Sequence, residues 1–424
     1  MTDPGPQRDR SGATPPAAAE SGAGAARDGG VGMGAFATIW LALFLDLFGF
    51  GIVIPVLPYY ASAFGASPAV VALLATSFSL AQFVMSPVLG RISDQIGRRP
   101  VMLISIAGSC GSMLVLGFAN TLWMVFAARV VSGVCNANVS TANAYIADRV
   151  APEQRARYMG MVGSAIGLGF VFGPAVGGLL SSHAMPELPF LCAAGLAAVN
   201  WLMAWRLLPE SRKPTAASAA RVGLSPLSAL GRLARVRGTP LGPLTLVSFG
   251  FYIAFSAMES TFALLTEARL SWDARHTGYL FSLVGACIAF SQAVLLGRAV
   301  RRYGEKGTLV LGMCVLTTGL VALALGTTAI VIVVGSAALA LGNGLVTPSV
   351  SAIVSRLSTA DDQGLNQGLV QSAAALARIV GPVGGGLLFE RLSPGAPMAV
   401  GAITVLLVLA AGVPRIRLPA RQRV

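Results

Sequence analysis

Four ionisable side chains stand inside otherwise apolar runs of this 424-residue sequence: Asp46, Arg129, Glu259 and Arg378. A charge in such surroundings costs several kcal/mol unless it is neutralised or paired, so each is a candidate for chemistry. A carboxyl group held there can take up and release a proton, and a guanidinium can bind an anion or bias a carboxyl group nearby. Asp46 lies about ten residues into its run, roughly 15 Å deep at 1.5 Å per residue. Arg129 lies at a comparable depth in another run, which makes it a candidate partner: either a switch for proton uptake at Asp46 or a static tie between two helices. Glu259 could bind a cationic solute, carry a second proton, or be reached by water from outside. Arg378 either faces a cavity and binds an anionic group or pairs with Glu259. Uncharged polar groups at similar depth are Gln82, Asn136, Asn138, Asn143, Tyr252, Gln292, Asn343 and Gln371. Each can line an amphipathic substrate cavity or make a helix–helix hydrogen bond.

Only a membrane explains runs of this kind. Hydrophobic residues make up 55% of the chain and charged residues 11%, against about 25% charged in soluble domains. Mean hydropathy is +0.73. With about 20 apolar residues needed per crossing, twelve spanning helices are expected, near 36–59, 69–90, 100–119, 121–146, 158–181, 188–208, 243–266, 276–297, 307–327, 329–355, 366–389 and 396–414. The fold class is thus an all-α integral membrane protein with two six-helix bundles, 35–208 and 243–414. A polar, cytoplasmic linker at 209–242 joins them. Residues 1–34, rich in Pro, Gly and Ala, read as a disordered tail, and 415–424 as a second short tail. Placing both termini inside puts 25 of the 30 Lys and Arg on the cytoplasmic face, as the positive-inside rule requires. That distribution accounts for the net charge of +13 without a nucleic-acid partner. The five Cys all sit in apolar runs without paired spacing, and the two His, His183 and His276, fall in loops. Neither a disulfide framework nor a metal site is expected.

Two motifs recur at nearly one offset. "GPAVGG" at 173–178 returns as "GPVGGG" at 381–386, and "GRISDQIGRR" at 90–99 returns in degenerate form as "GRAVRRYGEK" at 297–306. The repetition points to a duplicated transporter fold with its solute site between the halves. In the second copy of the charged segment Arg301 replaces Asp94 and Glu305 replaces Arg98, which suggests that the two no longer do identical jobs. Small residues let helices approach closely, and a proline removes a backbone hydrogen bond and bends its helix. Gly163, Gly173, Pro174, Gly177 and Gly178, with Gly381 and Pro382, are therefore expected to form bent, smooth surfaces on which one half rocks against the other; generic tight packing is the alternative.

The chain resembles the major facilitator superfamily, in its twelve-helix drug:proton antiporter branch. Three motifs carry the resemblance: Gly90, Asp94, Gly97, Arg98 and Arg99 after the second span, "RVVSG" with Arg129 and Gly133 in the fourth, and "GSAIGLGFVFGPAVGG" in the fifth. "LDLFGFGIVIPVLPYY" and "AYIADRVAPEQRARYMG" are similar to tetracycline-type exporters in particular. The resemblance implies a proton-coupled exporter of amphipathic drugs or secondary metabolites in the inner (plasma) membrane. It would be powered by the proton gradient with no cofactor, and monomeric. It also implies proton coupling through Arg129, and a latch in which Asp94 meets the N-terminus of the eleventh span when the transporter faces outward. Ser112 stands where those exporters carry an aspartate, and the eighth span has no histidine inside its outer end, where His276 stands. The substrate is accordingly left open, with an endogenous sugar or metabolite as the alternative. No nucleotide-binding "GxxxxGK[ST]" and no nucleophile–base set is present, so neither an ATP-driven pump nor an enzyme is expected.

Overall fold

The computed structural model describes residues 33–136, 138–150, 152–181, 185–210, 239–358 and 362–416. All of the expected N-terminal tail but its last two residues, the linker over 211–238, the C-terminal tail over 417–424 and His183 lie outside the described residues. The described chain is helical: α1 (Met33–Ala63), α2 (Pro68–Ile96), α3 (Arg98–Gly117), α4 (Leu122–Cys135), α5 (Asn138–Arg149), α6 (Pro152–Leu180), α7 (Leu188–Leu207), α8 (Gly242–Leu270), α9 (Ala274–Phe290), α10 (Leu296–Leu325), α11 (Ala329–Leu357), α12 (Gln363–Arg391) and α13 (Ala396–Gly412). A π-helical turn, Ser291–Leu295, joins α9 to α10.

Eleven stretches are long and apolar enough to cross a membrane, and one of them, Ala274–Leu325, is 52 residues long. At 1.5 Å per residue that is more than twice the roughly 30 Å hydrocarbon thickness. It reverses at Gly304, whose φ of 69° and ψ of 177° leave the helical region, and therefore crosses twice. Twelve spans result.

Two details differ from the sequence reading. The expected fourth span, 121–146, is broken into α4 and α5. Asn136 ends α4 with φ −82° and ψ 73°, and its Oδ1 accepts from Gln82 Nε2 at 3.1 Å. A side-chain amide competes with the helix ladder for hydrogen bonds, and here two asparagines flank the break. The segment 90–99 is also not a loop. α2 continues through Ile96 and the chain turns on Gly97 alone, at φ 105°. That value is open to glycine and strained for other residues. Gly304 makes the equivalent turn in the second half, 207 positions on. A Cβ at Gly90 would meet nothing within 4 Å.

α1–α7 and α8–α13 each have apolar clusters at their core, and one cluster of the first half also takes in Leu264 and Ala274 of the second. In the first half these include Ile39, Leu43, Met102 and Tyr145, and Ile52, Leu74 and Phe190. In the second they include Leu244, Phe251, Leu316 and Met398. The halves meet where α2 lies on α12 and α6 on α9. Large apolar side chains such as Trp123, Leu325, Ile330 and Leu407 are exposed around the outside, as a lipid-facing surface allows.

The glycine motifs divide their faces. Gly173 and Gly177 lie directly against Gly51 and Ile52 of α1, whereas Gly178 lies against Ala274 and Arg275 of α9. In the second half Gly381 and Gly385 lie against Ile253 and Ala257 of α8, and Gly386 against Pro68 and Ala69 of α2. Residues four apart share a helix face, and the next residue points about 100° away. Each motif therefore clamps its helix to the first helix of its own half and offers one glycine to the other half. Lipid gives helices no hydrophobic reason to associate, so this close contact matters. Gly163 touches nothing within 4 Å and does not belong to either face. Gly177→Ala, whose Cβ would run into the Ile52 carbonyl, is expected to destabilise the detergent-solubilised protein by about 1–3 kcal/mol. Gly163→Ala is expected to leave its melting temperature unchanged, and a thermal melt of both variants checks the contrast.

Candidate functional site

Between the halves lies a cavity of about 830 Å³. Its lining includes Arg129, Glu259, Arg378, Gln82, Asn136, Asn143, Tyr252, Asn343 and Gln371, together with Pro174. Residues from α1, α2, α4–α6, α8, α9, α11 and α12 thus converge on one space. Arg129, on α4, is 5% exposed. Its guanidinium lies 4.4 Å from the ring centroid of Phe78 and 6.0 Å from that of Phe50, and its buried Nε has no hydrogen-bond partner. Arg378 lies 5.3 Å from the Tyr252 ring. Glu259 is its electrostatic neighbour, but the two form no ion pair among the described residues. Both Arg378 and Glu259 face the cavity. The Asn343 Oδ1 accepts from Thr347 at 3.0 Å.

Three sequence-selected residues stand elsewhere. Asp46 does not line the cavity, and among the described residues it makes no ion pair with Arg129. It faces Asn138, whose amide is 3% exposed with neither Nδ2 nor Oδ1 hydrogen-bonded. Leu47 beside it and Phe50 one turn on line the cavity while Asp46 does not, and Arg129 lies over the rings of Phe78 and Phe50 instead. Gln292 is exposed on the π-helical turn, outside the lining.

The walls that sequence reading passed over are aromatic: Phe50, Phe78, Phe170, Phe255, Phe262 and Phe281. A signal for two of them existed. Tyr252, Phe255, Glu259 and Phe262 fall at helical spacing, so a polar Glu259 marks the face on which both phenylalanines stand.

One end of the cavity is closed by contacts between the halves; it is the end that carries Gly65 and Ser271. The Tyr59 hydroxyl on α1 reaches Thr277 Oγ1 at 2.7 Å and donates to the Trp272 carbonyl at 3.0 Å. Thr76 Oγ1 donates to the Ile379 carbonyl at 3.1 Å. At the same end, Ser67 Oγ and the Ala69 amide donate to Glu390 Oε2 at 2.9 and 3.1 Å.

The charged segment occupies the opposite end. Arg98 is 6% exposed. It pairs with Asp94 at 2.7 Å and with Asp148 of α5 at 3.0 Å, and its Nη1 donates to Ser93 Oγ at 2.9 Å. The Arg98 and Arg99 amides, at the start of α3, donate to the Glu210 carboxylate at 2.9 and 3.2 Å, and Arg99 also donates to the Trp205 carbonyl. These contacts tie the turn to its own half. In the second half Glu305 stands where Arg98 stood and pairs with Arg356 of α11 at 2.7 Å. The swapped charges therefore preserve one bridge from the turn to the end of the next span but one, as in Arg98–Asp148.

A profile of the Major Facilitator Superfamily matches residues 39–328 and 244–423. The chain belongs to the Major Facilitator Superfamily. It is 34% identical to the tetracycline resistance protein, class C, of Escherichia coli over 342 residues, covering 80% of this chain and 85% of that one. Over 381 residues it is 33% identical to the class G protein of Vibrio anguillarum, covering 86% and 93%. The crystal structure of the human organic anion transporter MFSD10 (TETRAN) superposes with a TM-score of 0.68 at 26% identity, covering 89% and 98%. That of the nucleoside transporter NupG reaches 0.74 at 14% identity, covering 91% and 100%, which shows the shared fold alone. The chain is thus a multi-pass membrane transporter of this superfamily, not an enzyme.

The geometry separates two glutamines of equal standing in the sequence. Gln371→Leu, in the lining, is expected to raise the Kd of a transported ligand about fivefold, the worth of one hydrogen bond. Gln292→Leu is expected to leave it unchanged, with ligand-binding titrations of the purified variants as the measurement.

Proposed function

We propose that the protein is a proton-coupled exporter of amphipathic drugs or secondary metabolites that works by alternating access. The observation that carries the proposal is the cavity itself: phenyl walls around a few charged and amide groups, placed between two pseudo-symmetric halves and closed at one end. An amphipathic solute suits such a lining, because rings can stack on its flat faces while polar groups meet the amides and charges. The relatives named for tetracycline resistance support export of this kind. The positive-inside distribution supports cytoplasmic termini in the inner membrane, and the closed end then faces outward. Residues 35–208 and 243–414 act as the two rocking bundles, with 209–242 as their link.

In this reading Asp46 carries the proton. It sits in α1 beside Asn138, at the break between α4 and α5, so its protonation is felt by the same segment that brings Arg129 and Asn136 to the cavity. Glu259 meets cationic groups of the solute or takes a second proton, and Arg129 and Arg378 meet anionic ones. The proton gradient supplies the energy. A second reading, transport of an organic anion of the cell, is favoured by one feature: the lining carries two guanidinium groups against one carboxylate.

The test is drug susceptibility in a pump-deficient host, paired with a fluorescence pH assay in inverted vesicles. Asp46→Asn is expected to insert at normal levels and to lose proton-linked efflux; wild-type efflux by this variant removes Asp46 from the mechanism. Glu259→Gln is expected to lose cationic substrates while neutral ones are still moved, which uptake of matched charged and neutral dyes would measure.

A further inference from the structure

We propose that Glu390 is the gating residue of the outward-facing end: a latch that caps α2 from the opposite half and holds the transporter closed to the outside. α2 begins at Pro68 with Ser67 as its N-cap, and Ser67 makes no capping bond of its own to the first turn. The first amides of a helix need acceptors, and a serine at this position ordinarily supplies one. Here the acceptor comes from the other half. Glu390 Oε2 accepts from the Ala69 amide at 3.1 Å and from Ser67 Oγ at 2.9 Å. Its negative charge also sits at the positive end of the α2 dipole. Beside this contact, Gly386 lies against Pro68 and Ala69 without a side chain between them, which brings the C-terminal turn of α12 onto the start of α2.

The antiparallel pairing of the two helices offers a second contact of the same kind. α2 and α12 pack on each other and run in opposite directions, so the last turn of each lies at the same face of the membrane as the first turn of the other. At the outer face Glu390, near the end of α12, caps α2. At the inner face the corresponding carboxylate is Asp94, near the end of α2, and the corresponding helix start is that of α12, with Asp362 as its N-cap. In this conformer Asp94 pairs with Arg98, and the outer latch is made. The two carboxylates close in turn, one per conformer, on a single helix pair. The inference rests on the alternating-access reading for the inner latch and on the observed contacts for the outer one.

The experiment is pulsed electron–electron spin resonance on the full chain in lipid nanodiscs, with its five native cysteines replaced. Spin labels at Ala63→Cys and Ser393→Cys report the outer end, and labels at Gln95→Cys and Arg302→Cys the inner end. Loss of a carboxylate at a helix start is worth roughly a two- to fivefold change in a two-state ratio. Glu390→Gln is therefore expected to move the outer pair toward longer distances by about that factor. Asp94→Asn is expected to move the inner pair in the same sense. Ser67→Ala, which keeps Glu390 and removes one of its two donors, is expected to shift the outer pair in the direction of Glu390→Gln by less. An outer pair that does not respond to Glu390→Gln, while Asp94→Asn opens the inner one, overturns the latch and leaves alternating access standing. Distances that respond to no variant overturn both.

Discussion

Arg129 lies on a helix that crosses a membrane, and with no carboxylate paired to it among the described residues the guanidinium rests on the faces of Phe78 and Phe50. The rest of the molecule follows from that constraint. Hydrocarbon offers a charge neither water nor hydrogen bonds, so ionisable groups at this depth persist only where the protein builds them a polar or aromatic shelter. The cavity between the halves is that shelter. Arg129 leans on two phenyl rings and Arg378 on Tyr252, with Glu259 as its neighbour. Amide groups complete the lining: Gln82 meets Asn136 across the end of α4. Aromatic faces stabilise cations by about 2 kcal/mol when water is excluded, and they leave the charge available to whatever enters. A static ion pair would have tied it up.

The same constraint explains why the helices meet through glycine. No hydrophobic force draws them together in lipid, so contact depends on backbones lying close. Gly173 and Gly177 set α6 on α1, Gly381 and Gly385 set α12 on α8, and Gly178 and Gly386 touch across the halves. Such faces slide without side chains to unlock. What holds a conformer in place is then left to a few polar contacts at the ends. Tyr59 among the hydroxyls and carbonyls of α8, α9 and the turn between them is one, and Glu390 on α2 is another. At the opposite end Arg98, buried between Asp94 and Asp148, holds the Gly97 turn on its own half.

Duplication is visible at each level. Gly97 and Gly304 make the same left-handed turn, and the glycine faces recur residue for residue. The charged turns kept one bridge while exchanging its signs, Arg98–Asp148 in one half and Glu305–Arg356 in the other. An ion pair depends on opposite charges at a distance and not on which helix carries which, so such a swap conserves the contact.

Much of this was legible in the residues alone. Twelve apolar runs, the one-sided cations and the repeated Gly-Pro motifs determine the fold class, because span length, loop charge and small-residue spacing are local properties with a direct physical meaning. The depth of Arg129, Glu259 and Arg378 already marked each as a candidate for chemistry, since a charge inside an apolar run must be neutralised, paired or sheltered. The sequence could not say which way a helix is turned about its axis. That rotation decided that Gln371 reaches the cavity while Gln292 does not, and the packing of α1 on α5 decided that Asp46 meets Asn138 and leaves Arg129 to the phenyl rings. It also decided that six phenylalanines, indistinguishable by composition from lipid-facing ones, form the walls. Contacts between distant segments, such as Glu390 capping α2, belong to the tertiary structure for the same reason. Such a cap depends on two helix ends more than 300 residues apart arriving at one point, and nothing local records that they do.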